Sequence, residues 1–141
     1  MASTFRVHHV GVVVKEIPGA AANYAGNLGY EIRSEVFHDP VQTAFVQFLA
    51  LPGETVYLEL VAPDGPASKV ANALKKGGGI NHICYKVPDI EGAMASLQDG
   101  GYLPLQAPVP AVAFNGRRIA WLMGRDRLLV ELVEQGPADE L

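Results

Sequence analysis

Short runs dense in valine, leucine and other apolar residues recur along the chain at 5–14, 42–50, 55–62, 80–87, 111–114, 117–123 and 128–134, and each predicts a β-strand. Helical stretches fall between some of them. "IPGAAANYAGNLGY" is Ala-rich, has a proline near its start and ends at Gly29, the form of a helix with a glycine stop. "DIEGAMASLQDGGY" has the same form. "ASKVANALKKGGG" predicts a third, shorter helix with Ser68 as its N-cap and a glycine run behind it. Asn115-Gly116, set between two β-rich runs, has the composition of a two-residue hairpin turn.

The pattern is written twice. Aligning "HVGVVVKEIPGA" from His9 with "HICYKVPDIEGA" from His82 superposes His9 on His82, Ile17 on Ile90, Gly19 on Gly92 and Ala20 on Ala93, each pair 73 residues apart. Gly29-Tyr30 then falls on Gly101-Tyr102 and "VYLELV" (56–61) on "LLVELV" (128–133), 72 residues apart. Each half therefore reads strand, helix, then several strands. The expected organisation is one domain over 1–141, with a first module at about 5–64, a linker helix at about 66–79 and a second module at about 80–135.

Pleat parity turns the repeat into a candidate site, because alternate residues of a strand face opposite sides. In 56–61, Val56, Leu58 and Leu60 suit packing on a helix, which puts Glu59 on the other face with Tyr57 and Val61. Glu131 takes the same position in 128–133, beside Leu129 and Val133. Ile83, Tyr85 and Val87 form the helix side of their strand and leave His82 opposite, with Cys84 and Lys86. In the first strand Val10, Val12 and Val14 are helix-side and share parity with His8, so His9 is the histidine that corresponds to His82. Two imidazoles and two carboxylates, His9, Glu59, His82 and Glu131, form a mixed nitrogen and oxygen donor set for a divalent first-row metal, with positions left for water or substrate.

Composition narrows the partners. Net charge is −4 with the charges scattered, so nucleic acid and polybasic membrane binding are not expected. A single cysteine, Cys84, excludes an internal disulfide, and the first residues lack the apolar run of a signal peptide or membrane span, so the cytoplasm is the expected location. His8 and His38 have no repeat mates and read as surface or packing residues. Cys84 reads as a small hydrophobe rather than a nucleophile. Arg117 and Arg118 are candidates for holding a substrate carboxylate or phosphate, with a solvated hairpin as the plainer reading. Trp121, Phe45 and Gln47 are candidates to line a pocket or to fill core.

The doubled pattern, with His, Glu, His and Glu at equivalent strand positions, resembles the vicinal oxygen chelate superfamily of glyoxalase I, methylmalonyl-CoA epimerases, extradiol dioxygenases and antibiotic-resistance proteins. The resemblance implies an α+β fold of two tandem βαβββ modules that form a cupped mixed sheet around a metal. "HHVGVVV", "QTAFVQFL", "LELVAP", "SKVANALKKGGGINHICYKVPDI" and "LLVELVEQ" are most similar to the epimerases. The chain departs from that group at Asn81, where a histidine is common, and at Met123-Gly124, where His-Pro is common.

The resemblance implies His9, Glu59, His82 and Glu131 as ligands of a divalent ion, with Co, Mn, Ni, Zn, Fe and Mg all open. It also implies Glu59 and Glu131 as the bases of a proton transfer α to a thioester carbonyl, and an acyl-CoA or other acyl thioester as substrate in a homodimeric isomerase. Two alternatives stand beside this: a glyoxalase I-like lyase or other metal-dependent enzyme acting on a small molecule, and a drug-binding protein of the resistance type. The stretch "ELVAPDG" after Glu59 differs from the Asn-Trp-Gly-like stretch usual in the glutathione-linked enzyme.

Overall fold

The computed structural model describes residues 3–137 and 140–141. The chain forms two compact units, one from residues 9–81 and the other from residues 82–141 together with the segment ahead of His9. In the first unit the strand β1 (Arg6–Val13) leads into helix α1 (Ile17–Leu28). Two short strands follow, β2 (Glu31–Ile32) and β3 (Phe37–Asp39), then β4 (Ala44–Ala50) and β5 (Tyr57–Pro63), and helix α2 (Ala71–Lys75) ends the unit. β2 and β3 pair antiparallel with β4, β4 antiparallel with β5, and β5 parallel with β1.

The second unit repeats the plan. β6 (Gly79–Val87) leads into helix α3 (Ile90–Asp99), followed by β7 (Leu103–Pro110), a 3-10 turn at Val112–Phe114, β8 (Arg118–Met123) and β9 (Leu129–Glu134). β7 pairs antiparallel with β8, β8 antiparallel with β9, and β9 parallel with β6. Each unit is thus β, α, then antiparallel strands returning to a parallel partner of the first; the second has the expected βαβββ order, and in the first the strand after the helix is split into the two short pieces β2 and β3, both paired with β4.

The helix starts explain one repeated residue. Glu16 and Asp89 are the N-caps, and their carboxylates accept the backbone N–H of Gly19 at 2.9 Å and of Gly92 at 3.2 Å. A Cβ at either glycine would overlap the capping carboxylate and push it aside, so glycine lets the cap close onto the helix start. α1 ends at Gly29, in the left-handed region at φ 80°, as the sequence predicts.

The helix-side parity also holds. Ile17 and Ala21 of α1 pack on Val12, Leu49, Leu58, Leu60 and Ala62. Ile90, Ala93 and Met94 of α3 pack on Val87, Ala120, Leu122, Val130 and Leu132. Burial of these side chains, roughly 1.5–3 kcal/mol for each valine, leucine, isoleucine and methionine and less for the alanines, holds helix to sheet and leaves the opposite sheet face for the site residues.

Three expectations need correction. Residues 111–114 are a 3-10 turn rather than a strand, and Asn115-Gly116 completes that turn with φ 55° and 87° instead of closing a two-residue hairpin. Ser68 does not cap α2: its hydroxyl donates to the Thr43 carbonyl at 2.6 Å, and the cap position is Val70. β7 was not expected from the pattern, because Pro104, Pro108 and Pro110 remove three backbone donors from it. Among the described residues no helix is long and apolar enough to cross a membrane.

Candidate functional site

In the first unit the parallel ladder places His9 across from Tyr57 and Gly11 across from Glu59. His9 and Glu59 therefore share one face a pleat step apart, and His9 Nε2 lies 3.3 Å from Glu59 Oε1. Both are buried, the histidine completely. Phe48 stands across from Glu59 on β4 and meets the His9 ring edge-on, with centroids 5.3 Å apart.

The second unit builds the same pair at the same register. His82 stands across from Leu129 and Cys84 across from Glu131, and His82 Nε2 lies 3.2 Å from Glu131 Oε1. Trp121 stands across from Glu131 on β8 and meets His82 edge-on at 4.7 Å. His82 and Glu131 are both buried. Phe48, which sequence reasoning did not single out, is the repeat mate of Trp121 at the same 73-residue spacing.

The chemistry of each pair suits a metal. A carboxylate buried among aromatic and aliphatic side chains requires a compensating positive partner. Two donors each about 2.1 Å from a shared ion, at angles between octahedral and tetrahedral, stand about 3.0–3.4 Å apart. The 3.2 and 3.3 Å separations fall within that range.

The remaining candidates lie elsewhere. His8 is buried on the other face, edge-on to Phe114 at 5.1 Å, and is a packing residue. His38 is exposed, 2.9 Å from Asp64 through Nε2, and stacks on Phe45, so Phe45 faces away from Glu59. Gln47 shares the helix-side parity and donates its amide to the Ser34 carbonyl at 3.0 Å. Cys84 is fully buried beside Glu131.

Arg118 bonds Glu134 at 2.9 Å and pairs with Glu91 at 2.6 Å. Its guanidinium holds both carboxyls below the usual carboxylate range. Arg117 donates to the main-chain oxygens of Phe114, Glu134 and Leu141. The two arginines therefore form an internally bonded cluster rather than a solvated hairpin.

Known proteins share this architecture. The family model described as Glyoxalase/Bleomycin resistance protein/Dioxygenase superfamily matches residues 8–121. The chain is 35% identical over 131 residues to the ethylmalonyl-CoA/methylmalonyl-CoA epimerase of Cereibacter sphaeroides, covering 90% of this chain and 96% of that protein. The crystal structure of methylmalonyl-CoA epimerase from Mycobacterium tuberculosis superposes with a TM-score of 0.81 at 27% identity, covering 93% of this chain and 88% of that one. A methylmalonyl-CoA epimerase in complex with methylmalonyl-CoA and NH4+ also gives 0.81, at 26% identity, over 98% of this chain and 99% of that one. With a match over most of its length and the duplicated βαβββ plan beneath it, the chain belongs to the glyoxalase, bleomycin resistance protein and dioxygenase superfamily, the vicinal oxygen chelate fold.

Proposed function

We propose that the chain is a metal-dependent epimerase that moves the proton α to the carbonyl of an acyl-CoA thioester, with methylmalonyl-CoA as the substrate to test first. In this reading His9, Glu59, His82 and Glu131 serve one divalent ion together. The observation that carries it is the duplicated pair: each unit sets one imidazole nitrogen 3.2–3.3 Å from one carboxylate oxygen at the equivalent register of a parallel ladder. One pair alone offers too few donors to hold an ion tightly. Two supply a set of four, with coordination positions left for water or substrate.

A bound divalent ion would act as a Lewis acid on the thioester carbonyl and lower the cost of charge building on its oxygen. Glu59 and Glu131 are assigned to the proton. One carboxylate takes it from one face of the α-carbon and the other returns a proton to the opposite face, which inverts the centre. Phe48 and Trp121, packed against the histidines, exclude water from that side of each pair.

The substrate class is supported by the relatives. The Cereibacter protein is named for ethylmalonyl-CoA and methylmalonyl-CoA, and one structural neighbour is in complex with methylmalonyl-CoA. The same reading places the enzyme in the cytoplasm as a homodimer, for which the exposed Leu103 and Leu105 on β7 offer an apolar edge.

The test is exchange of the substrate α-proton with solvent deuterium, followed by the mass of the thioester, using metal-loaded protein beside a chelated control. Exchange and interconversion of the two epimers are expected. Loaded protein that gives no exchange above the control overturns the reading.

A further inference from the structure

The edge strand of the second unit keeps an unusual period along the site face. Leu103 stands across from Met123, Gln106 across from Trp121 and Val109 across from Ile119, so the residues on that face recur at every third position instead of every second. β7 thus carries one extra residue on each side of Gln106. Unbroken pairing from Leu103 would bring Leu105 opposite Trp121. The first bulge sets a glutamine there instead, and Leu105 is left exposed.

The first unit breaks its edge strand at the same place. β2 leaves β4 after Ile32, across from Leu49, and β3 rejoins it at Phe37, across from Val46. Phe48, the repeat mate of Trp121, lies in the gap, where its N–H donates to the Ser34 hydroxyl at 3.0 Å and its carbonyl accepts the Arg33 N–H at 2.9 Å. In both units the edge therefore departs from regular pairing opposite the aromatic ring that packs on the histidine. The first unit closes the gap with Ser34, and the second places a long, half-buried amide there.

Trp121 stands across from Glu131 on the next ladder, so Gln106, Trp121 and Glu131 lie in line across three strands on one face. The ends of that line are two strand spacings apart, about 10 Å between Cα atoms. Gln106 and Glu131 flank the indole, and that span, shortened by the two side chains, suits a group bonded directly to the carbon that Glu131 serves. We propose that Gln106 is a specificity residue whose amide N–H donates to the acyl carboxylate of a malonyl-type thioester. A carboxylate accepts that bond, whereas an alkyl group in its place covers the amide and offers it no acceptor. An amide has two N–H donors and a carbonyl, so one donor holds the substrate while the other groups fix the side chain.

The proposal rests on the acyl-CoA reading, and the experiment separates the two. Calorimetry on the metal-loaded full chain compares methylmalonyl-CoA with isobutyryl-CoA, which carries a methyl group in place of the carboxylate, and deuterium exchange into each thioester is followed in parallel. The parent is expected to favour methylmalonyl-CoA. Gln106→Leu should cut that preference about tenfold, the loss of one hydrogen bond to a charged group, and should hold isobutyryl-CoA as tightly as the parent or more so, an opposite shift that loss of folding cannot mimic. Gln106→Glu, similar in size, should weaken methylmalonyl-CoA further through like-charge repulsion. Metal per chain should stay at the parent level in both variants. A parent that holds the two thioesters equally, or variants that shift both alike, overturn the role of Gln106. The expected shifts in affinity without exchange in the parent keep that role and overturn only the epimerase reaction.

Discussion

Trp121 meets His82 edge-on with ring centroids 4.7 Å apart, from a position directly across the β8–β9 ladder from Glu131. One side chain thus buttresses both members of a His–Glu pair. An imidazole free to rotate about χ2 presents Nε2 to its partner only part of the time, and a flat ring packed against it removes that freedom. Trp121→Leu should keep all four proposed ligands yet weaken divalent metal binding about tenfold, with a loss of about 1–3 kcal/mol in stability. Metal titration beside a denaturant melt reads the two effects separately. Unchanged affinity in a folded variant would show that the ring serves packing alone.

His8 and His9 offer a sharper contrast, because they are neighbours in sequence and face opposite sides of β1. His9→Ala removes a proposed ligand and should strip metal from the protein on dialysis. His8→Ala removes a ring packed on Phe114 and should lower the melting temperature while metal per chain stays near that of the parent. Equal metal loss in both variants would sink the assignment of His9.

That distinction was legible in the sequence because a duplicated unit writes each position twice. His9 and Glu59 acquire meaning from His82 and Glu131, and parity alone then separates His9 from His8. Phe48 carries the same signal, 73 residues before Trp121, but a phenylalanine inside the apolar run 42–50 reads as core until its ring is seen against His9. The capping acids Glu16 and Asp89 are also repeat mates, and the close contact of each with Gly19 or Gly92 emerges only in three dimensions. β7 stayed hidden for a different reason. Its prolines contradict local strand propensity, and what makes it a strand is its pairing with β8. The bonds that Arg117 and Arg118 make to Glu134 and Leu141 span 16 to 24 residues along the chain, beyond the reach of any local pattern.

Glu131 carries two proposed duties, and a single substitution separates them. Glu131→Gln keeps the shape and one oxygen donor but removes the base, so at matched metal occupancy exchange of the α-proton should fall by about two orders of magnitude or more. Metal content is measured on the same samples. A variant that holds full metal and exchanges at the parent rate would remove Glu131 from proton transfer and leave it a ligand only.

The cluster around Arg118 makes a prediction about pH. Arg118 holds Glu134 and Glu91 ionised, chiefly through hydrogen bonds to their carboxylates, so the pKa of each carboxyl in the folded chain lies below its ordinary value of 4.5. The unfolded chain binds these protons first as pH falls. The stabilisation is therefore complete above about pH 5, and it is lost as pH drops below the ordinary value and through the depressed folded ones. Both pairs are partly open to solvent, which keeps the effect modest and sensitive to salt. Arg118→Met should lower the melting temperature by a few degrees at pH 7 in low salt, and the gap to the parent should narrow steadily between pH 5 and pH 3. Thermal melts of both proteins across that range provide the check. A gap that holds constant down to pH 3 would mean that Arg118 stabilises the second unit by packing its aliphatic stem rather than through Glu91 and Glu134.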